Sequence, residues 1–135
     1  MAAARDKPLG AADSELRLPS LGARFADRVH RFFESYDVLA LPTSQVPPFD
    51  VELDWPRHVA GVPMETYIDW MRSCCDISLT GCPAISMPSG FTHDDLPVGV
   101  QFVGRPRGDV DLLRFARVWE RVSAASARRA TVAAT

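Results

Sequence analysis

The sequence predicts an α/β fold, with helices packed on a partial mixed β-sheet. Apolar residues recur at helical spacing in separate segments, and short apolar runs bounded by proline or glycine lie between them. The resulting order of helix, strand, loop, helix, strand, strand, helix is the pattern of a layered domain.

Leu21, Phe25, Val29, Phe32, Phe33 and Tyr36 recur at helical spacing, with Arg24, Arg28 and Arg31 between them, so residues 21–36 read as an amphipathic helix. Residues 37–41 are a short apolar run stopped by Pro42, as in a strand buried on both faces. Pro47, Pro48, Pro56 and Pro63 then forbid a long helix and predict an irregular surface excursion, of a length usually tied to function or disorder. Met64, Tyr67, Ile68, Met71 and Cys75 restore the helical period directly after Pro63.

Residues 81–88 read as a strand ending at Pro88, with Ile85 and Met87 on one face and Ala84 and Ser86 on a small-residue face. A turn-rich link leads to a second strand over 98–103, where Val98, Val100 and Phe102 share a face, and the two strands are expected to pair antiparallel. Asp109 is the expected N-cap of a last helix whose apolar face holds Leu112, Phe115, Ala116, Trp119 and Val122. Residues 1–19 read as a flexible leader, 20–126 as the folded part and 127–135 as a frayed tail.

Composition narrows the function. The 135 residues are 47% hydrophobic and 24% charged, with a formal net charge of −2, which is ordinary for a soluble globular chain. Basic residues are scattered, so neither nucleic acid nor an anionic membrane is an expected partner. No apolar run is long enough to span a bilayer and the N-terminus has no signal-like apolar stretch, so the expected compartment is the cytoplasm. Cys74, Cys75 and Cys82 are an odd number of cysteines and are expected as reduced thiols.

Hydrolytic chemistry needs an activated nucleophile, a proton carrier and donors for an oxyanion. The sequence holds no Gly-x-Ser-x-Gly elbow, and its only lysine, Lys7, lies in the leader, so a Ser/Lys mechanism cannot be assembled from the folded part. His30, His58 and His93 carry no accompanying motif and read as helix-face and loop residues, while the cysteines read as small core residues. The Cys-Cys-x6-Cys spacing does not suit a tetrahedral zinc, and the glycines form no phosphate-cradling loop, so no metal or cofactor is expected.

Three stretches in order carry a resemblance: Tyr36-Asp-Val-Leu-Ala-Leu-Pro-Thr43, Leu79-Thr-Gly-Cys-Pro-Ala-Ile-Ser-Met-Pro-Ser-Gly-Phe91 and Leu96-Pro-Val-Gly-Val-Gln-Phe-Val-Gly104. In sequence and spacing they resemble the last motifs of amidase-signature amidohydrolases, and residues 47–50 and 67–71 resemble a subgroup of bacterial amidases. Ser78 and Cys82 depart from the family pattern, which commonly has Asn and a larger apolar residue there.

The resemblance implies the C-terminal part of the family's α/β/α fold and hydrolysis of a carboxylic amide C–N bond by a Ser-Ser-Lys set. No residue here matches that set. What the chain would supply is part of a substrate pocket, with Thr43 and Ser44 at a strand end and Tyr67, Trp70, Met71 and Cys74 on a helix as candidate lining residues. The expected partner is an N-terminal amidase half or a second copy of the chain. The alternative reading is a non-catalytic module that docks on an amidase or self-associates through an open sheet edge. A thiol enzyme using Cys74, Cys75 or Cys82 is the third reading.

Overall fold

The apolar stripe of the first helix buries Val29 and Phe33, with Phe25 and Phe32 packed beside them, in a computed structural model that describes residues 21–128. The expected leader, 1–19, lies outside the described residues, as does the tail beyond Arg128. Helix α1 spans Leu21–Phe32. The regular helix stops short of the expected Tyr36 because Ser35 N–H already bonds to Phe32 O in a tighter turn, while Tyr36 stacks on Phe32 with ring centroids 4.4 Å apart.

Strand β1, Leu39–Pro42, alternates half-buried and exposed positions. This departs from the expectation of burial on both faces: Leu39 and Leu41 pack on the core, whereas Ala40 and Pro42 are exposed. The reason is coverage, since the last helix packs chiefly over the other two strands of the sheet.

The proline-rich excursion is irregular as expected but contains a short hairpin, β2 (His58–Val59) and β3 (Val62–Pro63). Its turn places Ala60 at φ 49° and Gly61 at φ 80°, two consecutive left-handed residues that match the twist of a tight hairpin.

The helix expected from Met64 begins later and is broken in two: α2, Tyr67–Trp70, and α3, Arg72–Ser78. Met64 N–H is instead taken by Arg57 O at 2.8 Å, so helix initiation waits for Thr66, whose N–H donates to Asp69 Oδ2 at 2.7 Å. The backbone N–H of Thr66, and then its side chain, hold the Asp69 carboxyl below its ordinary value. The carboxylate therefore stabilises α2 above the ordinary aspartate value of about 3.9, and that contribution is lost as pH falls through the lowered folded value. On acidification the amide resonances of Thr66 and Tyr67 should shift with a midpoint below that value, and Asp69→Asn should abolish the transition.

Strands β4, Ala84–Phe91, and β5, Pro97–Val103, pair antiparallel as expected, with Ile85 opposite Phe102 and Met87 opposite Val100. β4 runs past Pro88, the end that the sequence pattern predicts. An irregularity between Pro88 and Gly90 absorbs the proline, and β4 is an edge strand in the order β1-β5-β4, where a missing N–H is tolerated. Both pairings in this sheet are antiparallel.

Helix α4, Asp109–Ser123, is capped by Gly108 rather than Asp109. Asp109 and Asp111 instead sit in the first turn, where carboxylates complement the helix dipole. Leu112 and Ala116 are buried, and Phe115 and Trp119 meet Phe102 edge-on, each at 4.8 Å. Val122, expected on that face, is 78% exposed because it lies in the last turn.

The described residues thus form three layers. α4 covers the Phe102 face of the sheet, and α1 and α3 cover the Val103 face, where Val29, Phe33, Ile77 and Val103 form the core. At the start of the expected tail, Ala127 closes a short 3-10 turn, Ala125–Ala127. Arg128 lies 4.3 Å over the Phe91 ring and pairs with Asp95.

Candidate functional site

The end of β1 is where the polar groups of the sheet converge. Thr43 N–H donates to Gly99 O at 3.2 Å, extending the ladder by one residue. The Thr43 and Ser86 hydroxyls then meet at 2.8 Å. They do so over Gly99: a Cβ there would lie 2.8 Å from Thr43 Oγ1 and 3.1 Å from Ser86 Oγ. Gly99 is therefore required for close approach. Gly99→Ala should part the two hydroxyls and destabilise the chain by about 1–3 kcal/mol, the usual cost of overpacking, readable as a lowered urea midpoint with an unchanged slope.

Helix α3 is tied to the same strand end. The Cys74 thiol donates to Thr43 O at 3.2 Å, and Ser73 N–H donates to Gln45 Oε1 at 3.1 Å. Ser44 Oγ donates to Val46 O at 3.0 Å, fixing the turn out of the sheet. These bonds hold residues 43–46 against the helix.

Beside this strand end lies a cavity of about 800 Å³, walled by residues 40–49, Trp70, Ser89 and residues 97–100. Thr43, Ser44 and Trp70 come together on it. Tyr67, Met71 and Cys74 are not on its wall. Tyr67 stands behind, its ring 5.7 Å from Trp70 and 6.4 Å from Trp55, both perpendicular. Met71 is the joint between α2 and α3, its carbonyl accepting from Cys74 N–H at 2.9 Å. Cys74 faces a smaller cavity of about 260 Å³ with Cys82, Ser86 and Gln101.

The wall also contains Pro47, Pro48, Phe49, Val98 and Val100, none of which the sequence reading places among the candidate lining residues. Phe49 meets Trp70 edge-on at 5.5 Å. The length and proline content of the excursion are the available signal for the first three; nothing marks Val98 and Val100 as more than sheet residues.

Among the histidines, His30 Nε2 bonds to Thr80 O at 2.9 Å, and His93 Nε2 lies 3.1 Å from Asp94 Oδ2. No group of three or more His, Cys, Asp or Glu among the described residues could hold a metal ion. At the two departures from the family pattern, Ser78 Oγ donates to Cys74 O at 3.0 Å, and Cys82 packs on the core while its N–H donates to Thr80 Oγ1.

No helix among the described residues is long and apolar enough to cross a membrane. Known proteins resemble the chain in sequence and in fold. It is 40% identical over 92 residues to a glutamyl-tRNA(Gln) amidotransferase subunit from Myxococcus xanthus (strain DK1622), a match that covers 67% of the chain and 18% of that protein. It is 33% identical over 89 residues to a putative amidase of Synechocystis sp. (strain ATCC 27184 / PCC 6803 / Kazusa), covering 66% of the chain and 17% of the relative.

Among solved structures, a bacterial aryl acylamidase of the amidase-signature enzymes is similar with a TM-score of 0.71 and 25% identity, over 78% of the chain and 22% of that structure. A 6-aminohexanoate cyclic dimer hydrolase is similar with a TM-score of 0.63 and 30% identity, over 82% and 24%. The chain thus spans roughly a fifth of the length of the proteins it matches. The family model described as Amidase matches residues 16–113, and with the matching fold this establishes that the chain belongs to the amidase family.

Proposed function

We propose that residues 20–126 are the C-terminal part of an amidase domain, and that they wall the substrate pocket of an enzyme hydrolysing a carboxylic amide C–N bond. The observation that carries this reading is the cavity at the end of β1, where Thr43, Ser44 and Trp70 line one space of about 800 Å³, a size typical of small-molecule sites. The Ser-Ser-Lys chemistry that the family resemblance implies would come from residues outside this stretch, because the described residues contain no lysine. In this reading the chain binds and orients, and another part of the domain carries acyl transfer.

The partner is then the N-terminal portion of an amidase, meeting this chain at its uncovered surfaces in the cytoplasm. The test is reconstitution: an N-terminal amidase portion carrying the Ser-Ser-Lys set should gain amide hydrolysis on mixing with this chain. Thr43→Arg, which fills the strand end, should abolish the gain while the two chains still co-elute. Co-elution without any gain in turnover would overturn the pocket role.

A second reading is favoured by the edge positions of β1 and β4 in the sheet of the described residues, together with exposed apolar side chains elsewhere such as Tyr67 and Ile68. In it the chain docks on an amidase, or on itself, without completing a catalytic site. Co-elution with no gain in turnover is its signature.

A further inference from the structure

If the cavity at the end of β1 is the substrate pocket, its lining determines what kind of group enters it. We propose that it receives an uncharged apolar group, an arene or a branched alkyl, of a neutral carboxylic amide, and that it excludes a charged group at that place.

The first argument is charge. Among the described residues that line the cavity there is no Asp, Glu, Lys, Arg or His. An ionised group entering would lose hydration without meeting a counter-charge, which is unfavourable. The polar side chains at the strand end carry no charge to compensate, and three of their groups are already engaged. Ser44 Oγ is bonded to Val46 O, the Thr43 hydroxyl to that of Ser86, and Gln45 Oε1 to Ser73 N–H.

The second argument is shape and ring chemistry. Pro42, Pro47 and Pro48 give rigid apolar walls, so little ordering is needed when a ligand enters. Trp70 and Phe49 stand edge-on, with an interplanar angle of 89°, an arrangement that a third aromatic ring can extend by the same edge-to-face attraction.

The third argument is that Trp70 is an adjustable wall. The indole N–H of Trp119 is tethered to Pro88 O at 3.1 Å and that of Trp55 to Met64 O at 3.5 Å. The indole N–H of Trp70 is buried and has no acceptor. Its ring is positioned by ring contacts with Phe49 and Tyr67, so it can turn to seat a ligand without breaking a polar tether. A turn that presents the N–H to a ligand acceptor relieves an unmatched buried donor.

The experiment is a nitrogen-15 NMR titration of the 135-residue chain with three probes: acetanilide, its carboxylate-bearing analogue 4-acetamidobenzoate, and glutamine. Acetanilide should move the Trp70 indole resonance and the amides of Gly99 and Val100 while the Trp119 indole stays in place. The two charged probes should bind at least about tenfold more weakly. Trp70→Ala should weaken acetanilide binding about tenfold and Trp70→Phe much less, since the latter keeps a ring. Val46→Lys, a change on a half-buried loop position, should reverse the preference toward 4-acetamidobenzoate.

Equal binding of acetanilide and 4-acetamidobenzoate at the same residues would overturn the assignment of substrate class and leave the pocket reading standing. Shifts confined to residues away from the cavity, or none with any probe, would overturn both.

Discussion

A protein of these 135 residues should hydrolyse amides and esters no faster than buffer alone, although it belongs to a family of hydrolases. Enzymes of this general kind accelerate their reactions by at least about a millionfold, so the expected difference from an intact amidase is among the largest a kinetic assay can register. The cause is chemical. A pocket wall can hold a substrate in place, but acyl transfer needs a nucleophile whose proton is removed by a nearby carrier.

The described residues offer hydroxyls at Thr43 and Ser86, bonded to each other and to no base. Their histidines at positions 30 and 93 are turned toward Thr80 O and Asp94. Lys7 lies outside the described residues, and Lys7→Ala should change nothing. Turnover that co-purifies with the chain and vanishes on replacing Cys74, Cys75 or Cys82 would overturn this expectation in favour of thiol chemistry. Activity restored by an N-terminal amidase portion should also depend on Val38 to Leu41 entering a common sheet, because a site built from two chains must be held rigidly.

The isolated chain should also self-associate. Its core is thin: Val103 is the one fully buried large side chain among the described residues. Leu21 is 84% exposed and Val51 91%, and Tyr36, Phe49, Tyr67, Ile68 and Leu79 also show apolar surface to solvent. The sheet adds to this, since among the described residues β1 and β4 each have one unpaired edge. An exposed edge offers N–H and C=O groups to another chain, and the apolar surface beside it supplies the driving force.

A stable association buries about 1,200–2,000 Å² in total, so sedimentation should show species heavier than a monomer at micromolar concentration. An apolar dye should bind and brighten. Ile68→Lys combined with Leu79→Lys should shift the population toward monomer, by placing charges on surface that would otherwise be covered. A chain that sediments as a monomer at every concentration, melts sharply and binds no dye would show that the exposed surface needs no cover.

The sequence by itself determined the periodic parts of this protein. Residues separated by three and four positions must share a helix face, and residues separated by two must share a strand face, whatever surrounds them. That is why Val29 and Phe33 are legible as buried, and why Ile85 and Met87 are legible as sharing one strand face and Val100 and Phe102 another, while the register between them comes from the structure. The family is legible for a related reason, since its last motifs are strands and turns whose spacing is fixed by one sheet.

Tertiary structure alone decided matters that depend on neighbours distant in sequence. Arg57 O takes the Met64 N–H and delays α2, and Met71 breaks the helix that periodicity would have run through. Strand β1 reads as buried on both faces from its apolar composition, but composition says nothing about which helix lies above it. The cavity is half legible: Thr43 and Ser44 stand out at the end of a strand, and Trp70 on the helix expected beside it. Phe49 joins them because a proline-rich excursion folds back onto Trp70, and Val98 and Val100 because β5 lies between the other two strands. A local period cannot encode such meetings, because the free energy that places these residues together comes from contacts between segments that the sequence keeps apart.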